Sequence, residues 1–303
     1  MVNVYEQIDA NKRKSAIVMV LFVVFITFTV WVFVQSLGYN LSFVGLALIF
    51  SGLTSFAGYY FSDRIILTIS GARPASKNKD FNFYTVVENL TMADQLPMPK
   101  LYVIEDTAPN AFATGRDPQH AVICATTGLL SKLDRSELEG VIGHELTHVK
   151  NYDMRLMSVV TVLVGVITLL ADWFIRASMF GGRKNNEDKG SLGPILAILA
   201  IVLALLSPII AQLIQLAISR RREFFADAGS ALLTRYPDGL VRALQKISAD
   251  PEPLEAANKA TAHLYIINPL KNLSGKSSVG WFAGLFNTHP PVQERIKALQ
   301  GMM

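Results

Sequence analysis

The chain has 303 residues, 51% hydrophobic and 17% charged, with a net charge of +4 and a mean hydropathy of +0.34. It is long enough for one sizeable domain or two, but too apolar for an ordinary soluble protein. Its basic residues sit beside apolar runs and form no long patch interleaved with aromatics, which argues against a nucleic-acid binder and matches membrane topology signals.

Lys12, Arg13 and Lys14 precede an uncharged run from Ala16 to Val34. As a helix this run of about 19 residues spans roughly 28 Å, close to the hydrocarbon thickness of a bilayer. A cleavable signal peptide fits less well, because the run is long and no clear small-x-small cleavage site follows it. A second uncharged run, Leu41 to Phe61, follows a short neutral connection. The pair predicts a transmembrane hairpin with its basic ends on the cytosolic side.

From Ser62 to Arg155 the composition is that of a soluble domain. Phe81 to Ala93 is predicted helical, and Lys100 to Ile104 and Ala121 to Ala125 are β-like, short and rich in β-branched or aromatic residues. Cys124 is the single cysteine; it excludes an intrachain disulfide, suits a reducing compartment and reads as a buried inert thiol. Between the β-like runs lies Pro109-Asn110-Ala111-Phe112-Ala113-Thr114-Gly115. Spacing favours a plain loop or weak strand before the turn at Gly115 to Pro118. The sharper alternative is an edge strand whose unpaired backbone groups hold an extended peptide.

Val141 to Asp153 carries His-Glu-x-x-His, with His144 and His148 four residues apart. On a helix that spacing stacks both imidazoles on one face, one turn apart. They can share one Zn²⁺, with Glu145 beside the open position to take a proton from water that the metal has acidified. Asp134 followed by Glu137 predicts a capping box and a helix from near Arg135 through Asn151. Leu138, Val141, Ile142, Leu146 and Val149 give that helix an apolar stripe. Gly143 is a poor helix former by about 1 kcal/mol, and a small residue there suits close approach of another backbone. Lys150 stands where a hydrophobic residue is often expected.

Met157 to Ile175 is apolar apart from Asp172, Gly181 to Ser191 is a polar connector, and Leu192 to Ser219 is uncharged with Pro208 inside it. Two crossings, or none, would return the chain to the face that holds His144. Arg176, Arg183, Lys184 and Lys189 lie near or in the connector, which disfavours placing it outside. Ser219-Arg220-Arg221-Arg222-Glu223 follows, its arginines reading as interface anchors. Glu223 is the chosen third metal ligand, with Asp227 one turn on placed to orient a histidine. Asp153 and His289 are the other candidates, and spacing does not decide among them; Asp153, five residues past His148, suits a supporting or capping carboxylate better. Asp238 to Ile247 and Val292 to Leu299 are predicted helices, with a Gly- and Ser-rich stretch from Asn272 to Gly284 between them. His289 and Arg295 are candidate donors to an oxyanion.

Taken together these segments resemble the HtpX-type membrane metallopeptidases, relatives of the zinc-dependent CAAX prenyl proteases. The resemblance covers nearly the whole chain. It rests on the hairpin, Asn110 to Gly115, His144-Glu145-Leu146-Thr147-His148 with Asn151 and Asp153, Glu223-Phe224-x-Ala226-Asp227, and Thr288-His289-Pro290-Pro291 through Arg295. It implies one Zn²⁺ per chain on His144, His148 and Glu223, with Glu145 as general base and Asp227, Asp153 and Asn151 supporting the ligands. Asn110, Ala111, Phe112 and Ala113 would line the substrate strand, reversing the plainer preference there, and His289 and Arg295 would match a transition-state-stabilising pair.

The fold expected is an α+β membrane protein, mostly α-helical, with transmembrane helices and a gluzincin-like zinc peptidase domain containing a small β-sheet. Residues 1–62 would form the hairpin, 63–155 and 219–303 the cytosolic peptidase domain, and 156–218 the third and fourth membrane segments. The resemblance implies a multi-pass protein of the cell inner membrane, its site facing the cytoplasm. Its expected partners are misfolded membrane proteins, the lipid bilayer and other quality-control proteases, with no nucleic acid. The alternatives are a prenyl-protein processing protease and a non-enzymatic metal-binding scaffold or transporter. Transport is the weakest, since Asp172 is the only charge within a span.

Overall fold

The computed structural model describes residues 4–37, 40–181, 220–252, 254, 261, 264–267 and 290–303. The fourth apolar run, the connector before it, the Gly- and Ser-rich stretch and His289 lie outside the described residues. In chain order the elements are α1 (Val4–Leu37), α2 (Ser42–Ile69), β1 (Arg73–Pro74), α3 (Phe81–Ala93), β2 (Lys100–Ile104), β3 (Ala111–Thr114), β4 (Val122–Thr126), α4 (Thr127–Lys132), α5 (Arg135–Lys150), α6 (Asp153–Gly181), α7 (Arg220–Thr234), α8 (Pro237–Ala249) and α9 (Val292–Gln300). The described residues are mostly helical, with one small mixed sheet among them.

Helices α1, α2 and α6 pack together. Val18 and Phe22 of α1 meet Leu156, Val160, Leu163 and Ile167 of α6, with Tyr59 of α2 alongside. The buried face of α2 carries Ser51, Ser55, Gly58 and Ser62, small residues of the kind that let helices approach closely in lipid. A Cβ on Gly58 would stand 3.4 Å from Val162. The opposite faces expose Val20, Leu21, Val24 and Phe28 on α1 and Leu46, Ile49, Leu53 and Phe56 on α2. Contiguous apolar surface of this kind is disfavoured in water and suits a lipid or protein partner. Among the described residues one helix, α2, is long and apolar enough to cross a membrane. The third apolar run lies in α6, which begins at Asp153, beside the histidines.

The sheet has the order β1-β2-β4-β3. β2 and β4 are parallel, while β1 on β2 and β3 on β4 are antiparallel. β3 is therefore an edge strand, with Phe112 opposite Cys124. The side chains of Val103, Ile123 and Ala125 share the main core with Leu138, Val141, Ile142 and Leu146 of α5. Each such large side chain, fully buried, contributes about 1.5–3 kcal/mol. Cys124 is wholly buried, and burial pushes its thiol pKa up.

α5 starts where the sequence predicts. Asp134 Oδ1 accepts from the Glu137 N–H at 2.9 Å, and Glu137 Oε2 accepts from the Asp134 N–H at 2.8 Å. Two glycines let other helices cross it closely. A Cβ on Gly140 would lie 2.6 Å from the Leu240 nitrogen of α8, and one on Gly143 would lie 2.9 Å from Ser230 Oγ of α7. Ser230 Oγ in turn donates to Gly140 O at 2.6 Å. Close approach at Gly143 is what brings Glu223 and Asp227, on the same helix as Ser230, up to the imidazoles.

Candidate active site

α5 presents His144 and His148 on one face, their ring planes nearly perpendicular at 86° and centroids 4.7 Å apart. Their Nε2 atoms face each other at 3.1 Å. α7 delivers Glu223 opposite them, with Oε2 3.7 Å from His144 Nε2 and Oε1 3.5 Å from His148 Nε2. One donor atom from each residue lies within 4.8 Å of the other two. Three N and O donors held about 2.0–2.1 Å from a tetrahedral zinc stand roughly 3.3 Å from one another. The observed spacings bracket that figure, and two imidazoles with a carboxylate form a donor set of catalytic zinc sites. The residues present fit the metal.

Each imidazole is held from behind. His144 Nδ1 lies 2.9 Å from Asp227 Oδ1, and His148 Nδ1 lies 3.1 Å from Asp153 Oδ2. A carboxylate at Nδ1 fixes the tautomer that leaves Nε2 free for a metal. Asp153 returns to His148 through a sharp corner after α5, where Tyr152 takes a left-handed conformation with φ of 60°. Asn151 caps α5; its buried Oδ1 has no hydrogen-bond partner among the described residues, and its backbone carbonyl is the group that joins this network.

Arg295, on α9, is fully buried. Its Nε and Nη2 donate to the two oxygens of Asp227 at 2.9 and 2.6 Å. Nη1 donates to the Ile266 carbonyl at 3.0 Å and lies 3.8 Å from Glu223 Oε2. The guanidinium thus stands behind Asp227 and beside Glu223. Burial works to raise the Asp227 pKa, but the Arg295 charge and the hydrogen bonds from His144 and Arg295 together outweigh it and hold the carboxyl below the usual range.

Glu145 is 3% exposed, and the Ala113 N–H donates to its carboxylate. Burial raises Glu145 to about 7; His148 opposes that shift and the Glu223 charge adds to it. Burial also lowers His144 to about 4, overriding its hydrogen bond to Asp227, so the ring is a neutral potential ligand. For His148, burial is outweighed by Asp153, Glu223 and Glu145, which push it up to about 9.

The β3 edge faces this cluster, and the Leu264–Ile267 segment lies along it. Ile266 N–H donates to Ala111 O at 3.1 Å, Asn110 Nδ2 donates to Ile267 O at 3.0 Å, and Phe112 packs edge-on to Tyr265 at 5.1 Å. Ala113, Met157, Leu264 and Ile266 close over His144, Glu145, His148 and Glu223, leaving a cavity of about 10 Å³, near the minimum for one water. A roomier cleft of about 470 Å³, lined by Thr147, Gly229 and Arg235 among others, includes none of those four functional side chains.

The structure therefore brings together His144, His148, Glu223, Glu145, Asp227, Asp153 and Arg295, with Asn110 to Ala113 along one side. His289 lies outside the described residues. Sequence reasoning missed Leu264 and Ile266, whose apolar character gave no signal of a role. It read Arg222 only as an interface anchor, whereas Arg222 Nη1 lies 3.3 Å from Asp153 Oδ1.

A model of peptidase family M48 matches residues 78–303. A protein named Protease HtpX homolog from Dictyoglomus thermophilum is 44% identical over 301 residues, covering 98% of this chain and 94% of its own. Another of that name from Tropheryma whipplei is 47% identical over 244 residues, covering 80% of each chain. One from Streptococcus uberis is 39% identical over 305 residues, covering 98% of this chain and 99% of its own. Among solved structures, the crystal structure of S. mikatae Ste24p is 20% identical with a TM-score of 0.49, covering 89% of this chain and 62% of that one.

Proposed function

This chain belongs to peptidase family M48, among the HtpX-type metallopeptidases, and from that premise we propose that it is a membrane-bound zinc-dependent endopeptidase cleaving misfolded or damaged membrane proteins at the cytosolic surface. The observation that carries the proposal is the buried triangle of His144 Nε2, His148 Nε2 and a Glu223 oxygen, with Glu145 beside it. His144, His148 and Glu223 would hold one Zn²⁺. Bound there, zinc supplies Lewis acidity that acidifies water and polarises a carbonyl.

Glu145 acts as general base, taking a proton from the attacking water and returning it to the leaving amine. A pKa raised by burial suits a group that must both accept and give a proton near neutrality. The Ala113 N–H aims its carboxylate. Asp227 and Asp153 hold the two imidazoles in one tautomer and one orientation. Arg295 locks Asp227 through its two-pronged contact. Arg295 with His289 as a transition-state-stabilising pair is the alternative role for this guanidinium.

Asn110, Ala111, Phe112 and Ala113 are proposed to receive the substrate as an added strand on the β3 edge. Ile266 already pairs with Ala111 O, so an extended peptide has to move the Leu264–Ile267 segment aside. The apolar faces of α1 and α2 support membrane insertion of residues 1–62, with 63–155 and 219–303 as the peptidase domain and 156–218 as further membrane segments. Membrane-embedded substrates and other quality-control proteases are proposed as its partners.

The test is cleavage of an unfolded protein by the purified full chain with zinc, compared with Glu145→Gln. Cleavage by wild type alone, abolished by a chelator and restored by zinc, supports the proposal. Equal cleavage by wild type and variant would rule out the assigned base.

A further inference from the structure

Asn11, on the N-terminal helix beside Lys12, Arg13 and Lys14, is 2% exposed. It lies 142 residues before Asp153 in sequence, yet its Nδ2 donates to Asp153 Oδ1 at 2.7 Å. The same amide donates to the Asn151 carbonyl at 3.0 Å. Its Oδ1 accepts from Arg222 Nη1 at 3.2 Å. Arg222 also reaches Asp153 Oδ1 at 3.3 Å. A buried amide with both its donor side and its acceptor side engaged is held in one orientation, and it holds its partners in turn.

Asp153 is the carboxylate whose other oxygen meets His148 Nδ1. A chain therefore runs from α1 through Asn11 and Asp153 to the imidazole that faces Glu223. Three elements converge on it: α1 with Asn11, the α5–α6 corner with Asn151 and Asp153, and the start of α7 with Arg222. A neighbouring contact joins the same pieces, with Lys12 Nζ 4.5 Å over the Tyr152 ring at that corner. Without Asn11, Asp153 Oδ1 would lose its neutral donor and keep the Arg222 contact, which pulls it away from His148.

We propose that Asn11, on the N-terminal membrane helix, is a positioning residue for the metal site: its side-chain amide fixes the Asp153 carboxylate that orients His148. The inference rests on the metal-site assignment made above. It makes metal affinity depend on α1 being docked against the peptidase domain, although no ligand comes from that helix. Outer partners of metal-ligating histidines change affinity by about 10–100-fold when removed, and one step further out the effect sits at the low end, about ten-fold.

The experiment measures zinc affinity of the full chain in detergent by competition with a chromophoric chelator, and the visible spectrum of the cobalt-substituted protein. Asn11→Leu removes the amide. Asn11→Asp keeps its shape and the Arg222 contact but turns the donor into an acceptor, and it is the variant to read if Asn11→Leu does not fold. Val18→Ala, in the packed face of the same helix, trims an apolar contact of α1 with α6 and leaves Asn11 and its partners in place.

Both Asn11 variants are expected to bind zinc about ten-fold more weakly and to shift the cobalt spectrum, while Val18→Ala changes neither. In the Asn11→Leu/Asp153→Ala double variant the loss should be no larger than in Asp153→Ala alone, because both act through one carboxylate. Wild-type zinc affinity in the Asn11 variants, or losses that multiply in the double variant, would overturn this inference alone. No zinc binding by the wild-type chain would overturn the metal-site assignment and this inference with it.

Discussion

Replacing Arg295 should show what holds the back of the metal site together. Its guanidinium is fully buried and forks onto both oxygens of Asp227 at 2.9 and 2.6 Å, while Asp227 faces His144 Nδ1 at 2.9 Å. In Arg295→Leu the Asp227 charge is left buried with one imidazole as neighbour. Removing one partner of a buried ion pair costs about 3–5 kcal/mol. At about 2–4 °C per kcal/mol for a domain of this size, the melting temperature should fall by roughly 6–20 °C. Arg295→Lys keeps the charge but cannot reproduce the planar fork, so it should fall between wild type and Arg295→Leu. Adding Asp227→Asn to Arg295→Leu removes the stranded charge, and the double variant should be more stable than the sum of the two single losses predicts, with coupling of about 0.5–3 kcal/mol. The assay is thermal unfolding of the full chain in detergent, followed by circular dichroism, with zinc affinity measured alongside. A residue that acted only on the transition state would lower kcat and leave both quantities alone. Melting within about 1 °C of wild type, with unchanged zinc affinity, would refute the reasoning.

Glu145→Gln should lower peptide-bond cleavage by about 10²–10⁴-fold while the variant still binds zinc, measured by turnover and metal content on one preparation. Chelation should lower the melting temperature as well as the activity, because zinc at a thousand-fold excess over its Kd adds about 4 kcal/mol to the folded state; an unchanged melt would place the metal outside the fold. Gly128→Ala puts a Cβ 2.0 Å from the Thr107 carbonyl oxygen and should destabilise by about 1–3 kcal/mol through overpacking, read from the same unfolding curves. Cys124, fully buried with its thiol pKa raised, should resist maleimide in the native chain and react once the protein is unfolded.

Much of the peptidase half was legible because its signals are local. The capping box of Asp134 and Glu137, the apolar stripe of α5 and the β-branched run of β2 are written within a few residues, and the observed elements begin where those patterns do. The His148–Asp153 pairing could be suspected from spacing alone. What escaped was carried by distance in sequence or by weak patterning. β1 is two residues with a proline, too short to register. α4 has Thr126 as its cap, accepting from Leu129 N–H, but a glycine follows at once and hides it. The start of α1 was obscured by Lys12, Arg13 and Lys14, which break the apolar run and so left Asn11 outside the expected span. Arg295 and Asp227 are 68 residues apart, and Arg222 resembled any arginine at a membrane interface. Neither side chain's destination is written near it in the chain.

The central claim is that two imidazoles on α5 and a carboxylate on α7 share one metal ion. Zinc content of the purified full chain, counted by elemental analysis after dialysis against buffered zinc, tests it most directly. The account predicts one zinc per wild-type chain and less than about a tenth of that in Glu223→Ala at the same free zinc, since two ligands alone bind far more weakly than three. A Glu223→Ala chain that keeps its full zinc would contradict it.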